Sequence, residues 1–326
     1  MAGLTSSRKG SDDTGDSARG KRTMRIAYLM TVHRNPLLLQ RLIGTLEGSG
    51  AAFFVHVDLK SDISKFSGIG GDGVFLTEDR IPVYWCEFSQ VDATLLLMRE
   101  ALARAENYDY FVFLQGSDYP IRSGPYIQRF FEVNRGQEFI NMLKMPAPGY
   151  PLSKINHLWY PSDKPVRRFA AKSLTKVGLA NRDYTQHLGK LQGYAGHACW
   201  ALSRQACEYI VQFADSNPQV REYFRDTCTP DEMYFHTVLG NSPFRSKARR
   251  NLLYQAWTPS ISGENRHQID AQHVSLFARD EKFVVSDEWG TGEMLFARKF
   301  SDERPELLDQ IDQMIKQKQT HSLLSK

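Results

Sequence analysis

The stretch from Arg25 to Asp58 constrains the fold more than any other part of the chain. It opens with an unbroken apolar run, RIAYLMTV from Arg25 to Val32, that reads as a buried strand. His33-Arg34-Asn35-Pro36 breaks the run, and Pro36 suits the first turn of a helix, where its missing N–H costs nothing. Leu37, Leu38, Leu39, Leu42, Ile43 and Leu46 give that helix an apolar face, and Gly48 and Gly50 end it. Ala52 to Val57 is the next strand, closing on His56, Asp58 and Lys60. A strand, helix and strand of these lengths pair in parallel through a right-handed crossover, which commits the chain to an α/β sheet.

The alternation continues downstream. Ile81 to Tyr84 reads as a strand, and Val91 to Ala105 carries a helical apolar face. Tyr110 to Leu114 (YFVFL) has no polar break, the pattern of a central strand covered on both faces. It runs into Gln115-Gly116-Ser117-Asp118-Tyr119-Pro120, a polar turn beyond the strand's carboxyl end, the edge of an open α/β sheet where ligands sit. Residues 24–140 are therefore expected to form a nucleotide-binding half. Residues 141–326 are less regular: Lys144 to Arg182 mixes Pro, Trp, Tyr, Lys and Arg like a long binding loop or a surface helix pair. Ala198 to Ser203 reads as a short strand and Arg204 to Phe213 as a helix. Pro230 to Leu239 is a helix with Asp231 and Glu232 in its first turn, and Pro305 to Lys318 is a charged amphipathic helix. No repeat or clear linker separates the halves, so residues 24–326 are expected to fold as one domain.

Composition excludes several classes. The formal charge is only +4, with acidic and basic residues interspersed, whereas duplex-binding proteins usually concentrate a basic face. No run approaches the ~18 to 20 apolar residues a membrane helix needs, and the first residues lack the apolar centre of a secretion signal. Met1 to Thr23 hold almost nothing to bury, so a disordered tail is expected, with Met24 a candidate natural start. Cys86, Cys199, Cys207 and Cys228 make no CxxC pair and no zinc spacing. Buried reduced thiols in a cytoplasmic protein are the expectation, with peripheral contact at the inner membrane face compatible with the weak basic charge.

Each candidate for chemistry has two readings. An inverting transfer from a diphosphate needs a carboxylate to take the acceptor's proton and positive groups on the leaving diphosphate. Glu232 of Thr229-Pro230-Asp231-Glu232 is the best base candidate, although it and Asp231 could equally cap their helix. Lys299, in Leu295-Phe296-Ala297-Arg298-Lys299-Phe300, is either a phosphate clamp or a solvated strand cation. On a strand, Arg298 would point to the opposite face and matter less. Asp58 could hold a uracil or ribose, or be a turn residue. Asp118 is a weak single-carboxylate candidate for a metal. Trp257 and the Trp159-Tyr160 pair could stack on sugars, or pack in the interior. His197, His236, His267 and His273 do not fall into ligand spacings, and neither a GxSxG nor a glycine-rich phosphate loop is present.

Taken in order, AYLMTVHRNP, FFVHVDLKSD, VYWCEFSQVDATLLLM, YFVFLQGSDYPI, GHACWALSRQACEYI, TPDEMYFHTVLGNSPF and MLFARKF resemble the core-2/I-branching β-1,6-N-acetylglucosaminyltransferase and peptide O-xylosyltransferase family, glycosyltransferase family 14. The matching segments run from residue 27 to 300, and the chain looks like a bacterial-type member without stem or membrane anchor. The resemblance implies a GT-A fold, a UDP-sugar donor (UDP-GlcNAc or UDP-xylose), a glycan or polysaccharide acceptor, and inversion without metal or other cofactor. By motif, Glu232 matches the catalytic base, Lys299 the diphosphate lysine and Asp58 a donor-binding aspartate, with Val32 at the nucleotide-facing end of the first strand. Arg266 is the candidate for a second diphosphate cation, although its flanking residues match poorly. Trp257 stands at an aromatic acceptor position, and Asp118 is grouped with the acceptor site. The alternatives are a metal-dependent transferase using Asp118 and a catalytically silent glycan- or nucleotide-binding relative. A silent relative has no need to keep both Glu232 and Lys299.

Overall fold

The computed structural model describes residues 23–48, 50–159, 181–256 and 268–324. Trp257, Arg266, His267 and Tyr160 lie outside the described residues, as does the tail before Thr23.

Strand β1 (Ile26–Val32) sits mid-sheet because both of its faces are apolar. Its side chains alternate: Ile26, Tyr28, Met30 and Val32 enter one buried cluster, Ala27 and Leu29 the other. β2 (Ala51–Val57) and β4 (Tyr110–Gln115) flank it in parallel and divide their side chains in the same way. Helix α1 (Pro36–Leu46) covers the first face, and α2 (Ser89–Leu102) covers the second. The result is a layered α/β architecture with a central, mostly parallel sheet.

Outside this core lie β3 (Val74–Leu76), β6 (Glu138–Phe139), β9 (Trp200–Ser203) and β10 (Ala248–Arg249). They complete a seven-stranded sheet ordered β10-β6-β9-β4-β1-β2-β3, in which β9 runs antiparallel to β4 and to β6. A second, three-stranded sheet joins β5 (Asp118–Pro120) to β14 (Phe296–Arg298) and β11 (Leu253–Gln255). The pairing of β14 with β5 is antiparallel and sets Arg298 directly opposite Asp118. The final helix, Pro305–Leu324, packs Leu307, Leu308, Ile311, Met314 and Ile315 onto the first face. Among the described residues no helix is long and apolar enough to cross a membrane.

Two expected elements take other forms. Ile81 to Tyr84 is not a strand, because its backbone donors are spent on side chains: Ile81 N–H bonds His56 Nε2 at 3.0 Å and Val83 N–H bonds Asp58 Oδ1 at 3.3 Å. The outer strand is Val74–Leu76 instead. The helix expected from Pro230 to Leu239 breaks into a 3₁₀ turn, Pro230–Glu232, and an α-helix, Tyr234–Gly240, with Met233 at φ −132° between them. The break frees the Glu232 carbonyl, which accepts a bond from Gly196 N–H at 2.9 Å. Neither start uses a side-chain cap, so Asp231 and Glu232 are not capping residues.

Phe111, wholly buried on β4, should lose about 3–5 kcal/mol of stability on replacement by alanine. Val133, 76% exposed, should lose less than about 0.5 kcal/mol on the same change. Urea unfolding of the two variants checks which face of the chain carries the core.

Candidate active site

The carboxyl ends of β1, β2 and β4 open into a cleft of about 600 Å³. Val32, Asp58, Glu232 and Lys299 all border it, joined by Arg34, Trp85, Tyr150 and Arg298. Four of the residues singled out in the sequence are thus brought together from positions 32 to 299. A larger hollow of about 750 Å³ lies at the opposite, amino end of β4, lined by Asp109, Arg135 and Arg204, away from all of them.

Asp58 is placed by backbone. Its N–H bonds the Val32 carbonyl at 2.8 Å, which ties the ends of β1 and β2 together. The Arg80 guanidinium spans the carbonyls of Val57, Asp58 and Ser61 at 2.7–2.9 Å and braces the turn. The Asp58 carboxylate meets Lys60 Nζ at 2.8 and 3.0 Å and the Lys60 N–H at 2.9 Å. Burial pushes the Asp58 carboxyl up, but these Lys60 bonds outweigh it and hold the group below its usual range. Trp85, 83% exposed at the rim, offers a ring face near this end.

The cleft lining also includes two adjacent carboxylates. Thr229, with φ 51°, turns the chain sharply before Pro230, and the 3₁₀ turn brings Asp231 and Glu232 to the cleft. Gly196 permits the close backing of this turn: a Cβ there would stand 2.1 Å from the Asn141 carbonyl oxygen. Lys154 Nζ lies 3.5 Å from Glu232 Oε2. Burial raises the Glu232 carboxyl, against the pull of Lys154. Asp231 is raised further, to about 7, by burial and then by Glu232. The thiols of Cys86 and Cys228 touch just behind this turn, so two cysteines distant in sequence are neighbours in the fold.

Two further cations come from the β14 segment. Arg298 is buried, and its Nε lies 3.0 Å from Asp118 Oδ1. Its Nη2 donates to Gln115 Oε1 at 2.6 Å. Lys299 follows, its carbonyl held by Ile269 N–H at 3.1 Å, while Phe300 N–H bonds the Ser117 carbonyl at 2.9 Å. Both cations border the cleft, so the expectation that Arg298 faces away from Lys299 is wrong: β14 ends at Arg298, and the strict alternation of a strand stops with it. Burial, then Arg298 and Arg34, lowers the Lys299 ammonium.

Asp118 lies under the cleft floor rather than on its wall, 1% exposed. Besides Arg298 it receives Gln115 N–H at 2.8 Å and Cys199 Sγ at 3.3 Å. His197 also borders the cleft, with Nε2 against Gln255 Oε1 at 2.7 Å and Nδ1 accepting from Cys199 N–H at 3.2 Å. Burial pushes its pKa down to about 3, so it is a neutral ring that closes the floor. His273 caps the helix Ala271–Arg279 with Asp270, and His236 bonds the His197 carbonyl, so both are structural. Among the described residues no group of three His, Cys, Asp or Glu side chains converges as a metal cage.

Comparison with known proteins gives the same context. The profile described as Core-2/I-Branching enzyme matches residues 26–279, which ends before the β14 segment. The human beta-1,3-galactosyl-O-glycosyl-glycoprotein beta-1,6-N-acetylglucosaminyltransferase is 26% identical over 220 residues, 65% of this chain and 48% of that protein. Human xylosyltransferase 2 is 26% identical over 227 residues, 67% of this chain and 25% of that protein. Rat xylosyltransferase 1 is 26% identical over 237 residues, covering 68% and 26%. The chain therefore spans about half or a quarter of the length of these relatives.

Replacing Asp118 by Asn would leave Arg298 buried without its counter-charge. A destabilisation of about 3–5 kcal/mol is expected, the cost of breaking a buried pair from one side. Chemical denaturation reads it directly. A loss below about 1 kcal/mol would mean that water reaches the guanidinium.

Proposed function

The chain belongs to the Core-2/I-Branching enzyme family, and from that premise we propose that it is an inverting glycosyltransferase moving GlcNAc or xylose from a UDP-sugar to a hydroxyl of a glycan acceptor. The observation that carries this reading is the division of one cleft's lining between a carboxylate, Glu232, and two cations, Arg298 and Lys299.

The chemistry follows from that division. The acceptor hydroxyl gives its proton to the Glu232 carboxylate as its oxygen attacks the sugar's anomeric carbon. The bond from that carbon to the β-phosphate oxygen breaks on the far side, which inverts the configuration. The electron pair leaves with UDP, and Arg298 and Lys299 meet the charge that builds on the diphosphate. Val32, Asp58 and Trp85 line the end suited to the nucleoside. Arg298 takes the role of second cation for which Arg266 was the sequence candidate. Asp118 serves by pairing with Arg298 through Oδ1, while Gln115 and Cys199 donate to Oδ2. A transfer that uses these two cations in place of a divalent ion is the reading proposed, with no other cofactor.

Glu232→Gln should lower transfer by at least ~10²-fold while UDP still binds, since it keeps the shape and removes the base. Near-normal turnover would remove Glu232 from the role. Lys299→Ala should lower kcat more than it weakens donor binding, because the charge it meets grows as the bond breaks. Activity should survive EDTA across a panel of UDP-sugars, whereas full inhibition rescued by Mn²⁺ would favour a metal-dependent transferase.

A further inference from the structure

Two carboxylates stand side by side on the cleft wall, and the surroundings treat them unequally. Asp231 is 8% exposed, and its Oδ1 has no hydrogen-bond partner. Glu232 has an ammonium 3.5 Å from Oε2. That ammonium belongs to Lys154, on a helix of four residues, Ser153–Asn156, too short to persist alone. The fold pins it: Ile155 is wholly buried, Tyr223 Oη donates to the Ile155 carbonyl at 3.0 Å, and Arg182 N–H bonds the Asn156 carbonyl at 2.7 Å. Lys154 also sits 4.5 Å over the Tyr150 ring, which limits where its head can go.

We propose that Lys154 is a positioning residue that divides the labour of this pair, holding the negative charge on Glu232 and leaving the proton on Asp231. The proposal rests on the reading of Glu232 as the base. Adjacent carboxylates, here one buried and one half-buried, resist ionising together, so as the pH falls the first proton goes to one of the two. A cation touching one member decides which. Of the other groups facing the pair, Arg298 acts on both, Tyr150 keeps its proton, the Thr229 hydroxyl favours the Glu232 anion, and Cys86 and Cys228 lie against Asp231; Lys154 is the one that places a full positive charge on Glu232 alone. Burial raising Asp231 to about 7 agrees with its holding the proton. Without Lys154 the shared proton would spread onto Glu232 and occupy the site that must receive the acceptor's.

The test is the pH profile of kcat/KM together with a ¹³C carboxyl titration by NMR, Glu232 being assigned from its loss in Glu232→Gln. The acidic limb marks protonation of the base. Lys154 favours the ionised form, so Lys154→Met should move the limb and the Glu232 titration upward by about one pH unit, the low end for a partly exposed cation. Lys154→Arg should restore both. Asp231→Asn should leave the limb within a few tenths of a unit, because a proton already neutralises that position where Glu232 titrates. A limb that stays in place in Lys154→Met while kcat falls would overturn the proposal and reduce Lys154 to a packing or substrate contact. A fall of the limb by a unit or more in Asp231→Asn would overturn it too, since Asp231 would then be the charged partner. If Glu232→Gln keeps its turnover, the base assignment fails, and the NMR titration still decides where the charge lies.

Discussion

Arg298 and Asp118 face each other across the ladder between β5 and β14, and neither has more than a sliver of surface in contact with water. Removing both charges from solvent costs several kcal/mol each, so the arrangement persists only where the partners are closely placed and their remaining valences used. Here Nε and Oδ1 stand 3.0 Å apart as an ion pair without hydrogen-bond geometry, while Gln115 and Cys199 hold the other carboxylate oxygen and Gln115 Oε1 takes one guanidinium N–H. A one-residue slip of β14 would set Arg298 opposite Ser117 or Tyr119, neither of which carries a negative charge, and turn its side chains to the wrong face. The pair therefore fixes the register of a short strand, and the register delivers Lys299 to the cleft. The polar turn after β4 matters for the same reason. It carries Asp118 to where the buried Arg298 guanidinium needs a counter-charge.

The sheet core could be read from the sequence because burial on both faces leaves a continuous apolar signature. β1, β2 and β4 announce themselves this way, and the Pro36 helix start lies where its ring constraint puts it. Ile81–Tyr84 looked equally strand-like, yet its donors go to His56 and Asp58, and pattern alone does not reveal where a backbone bond ends. The 3₁₀ break at Met233 was hidden for a similar reason: it depends on Gly196, thirty-odd residues away, needing the Glu232 carbonyl.

The lining of the cleft was legible through its acids and its lysine, Asp58, Glu232 and Lys299, each at the end of an element that meets it. Arg298 was misjudged because alternation was carried one residue past the end of its strand. Lys154 left no signal, since a lone Lys on a four-residue helix resembles any surface cation. Trp85 was equally silent: only the fold shows that this ring stands at the cleft's rim.

The pairing of Asp58 with Lys60 has a consequence of its own. Two residues apart and joined by two short contacts, they neutralise each other at one end of the cleft. The other end keeps Arg298 and Lys299, and Arg298's partner is sunk beneath the floor. The cleft is thus a lopsided electrostatic trough, bland around Asp58 and Lys60 and attractive to anions around Arg298 and Lys299. An elongated ligand with its charge at one end would be turned by that gradient before it touches either wall.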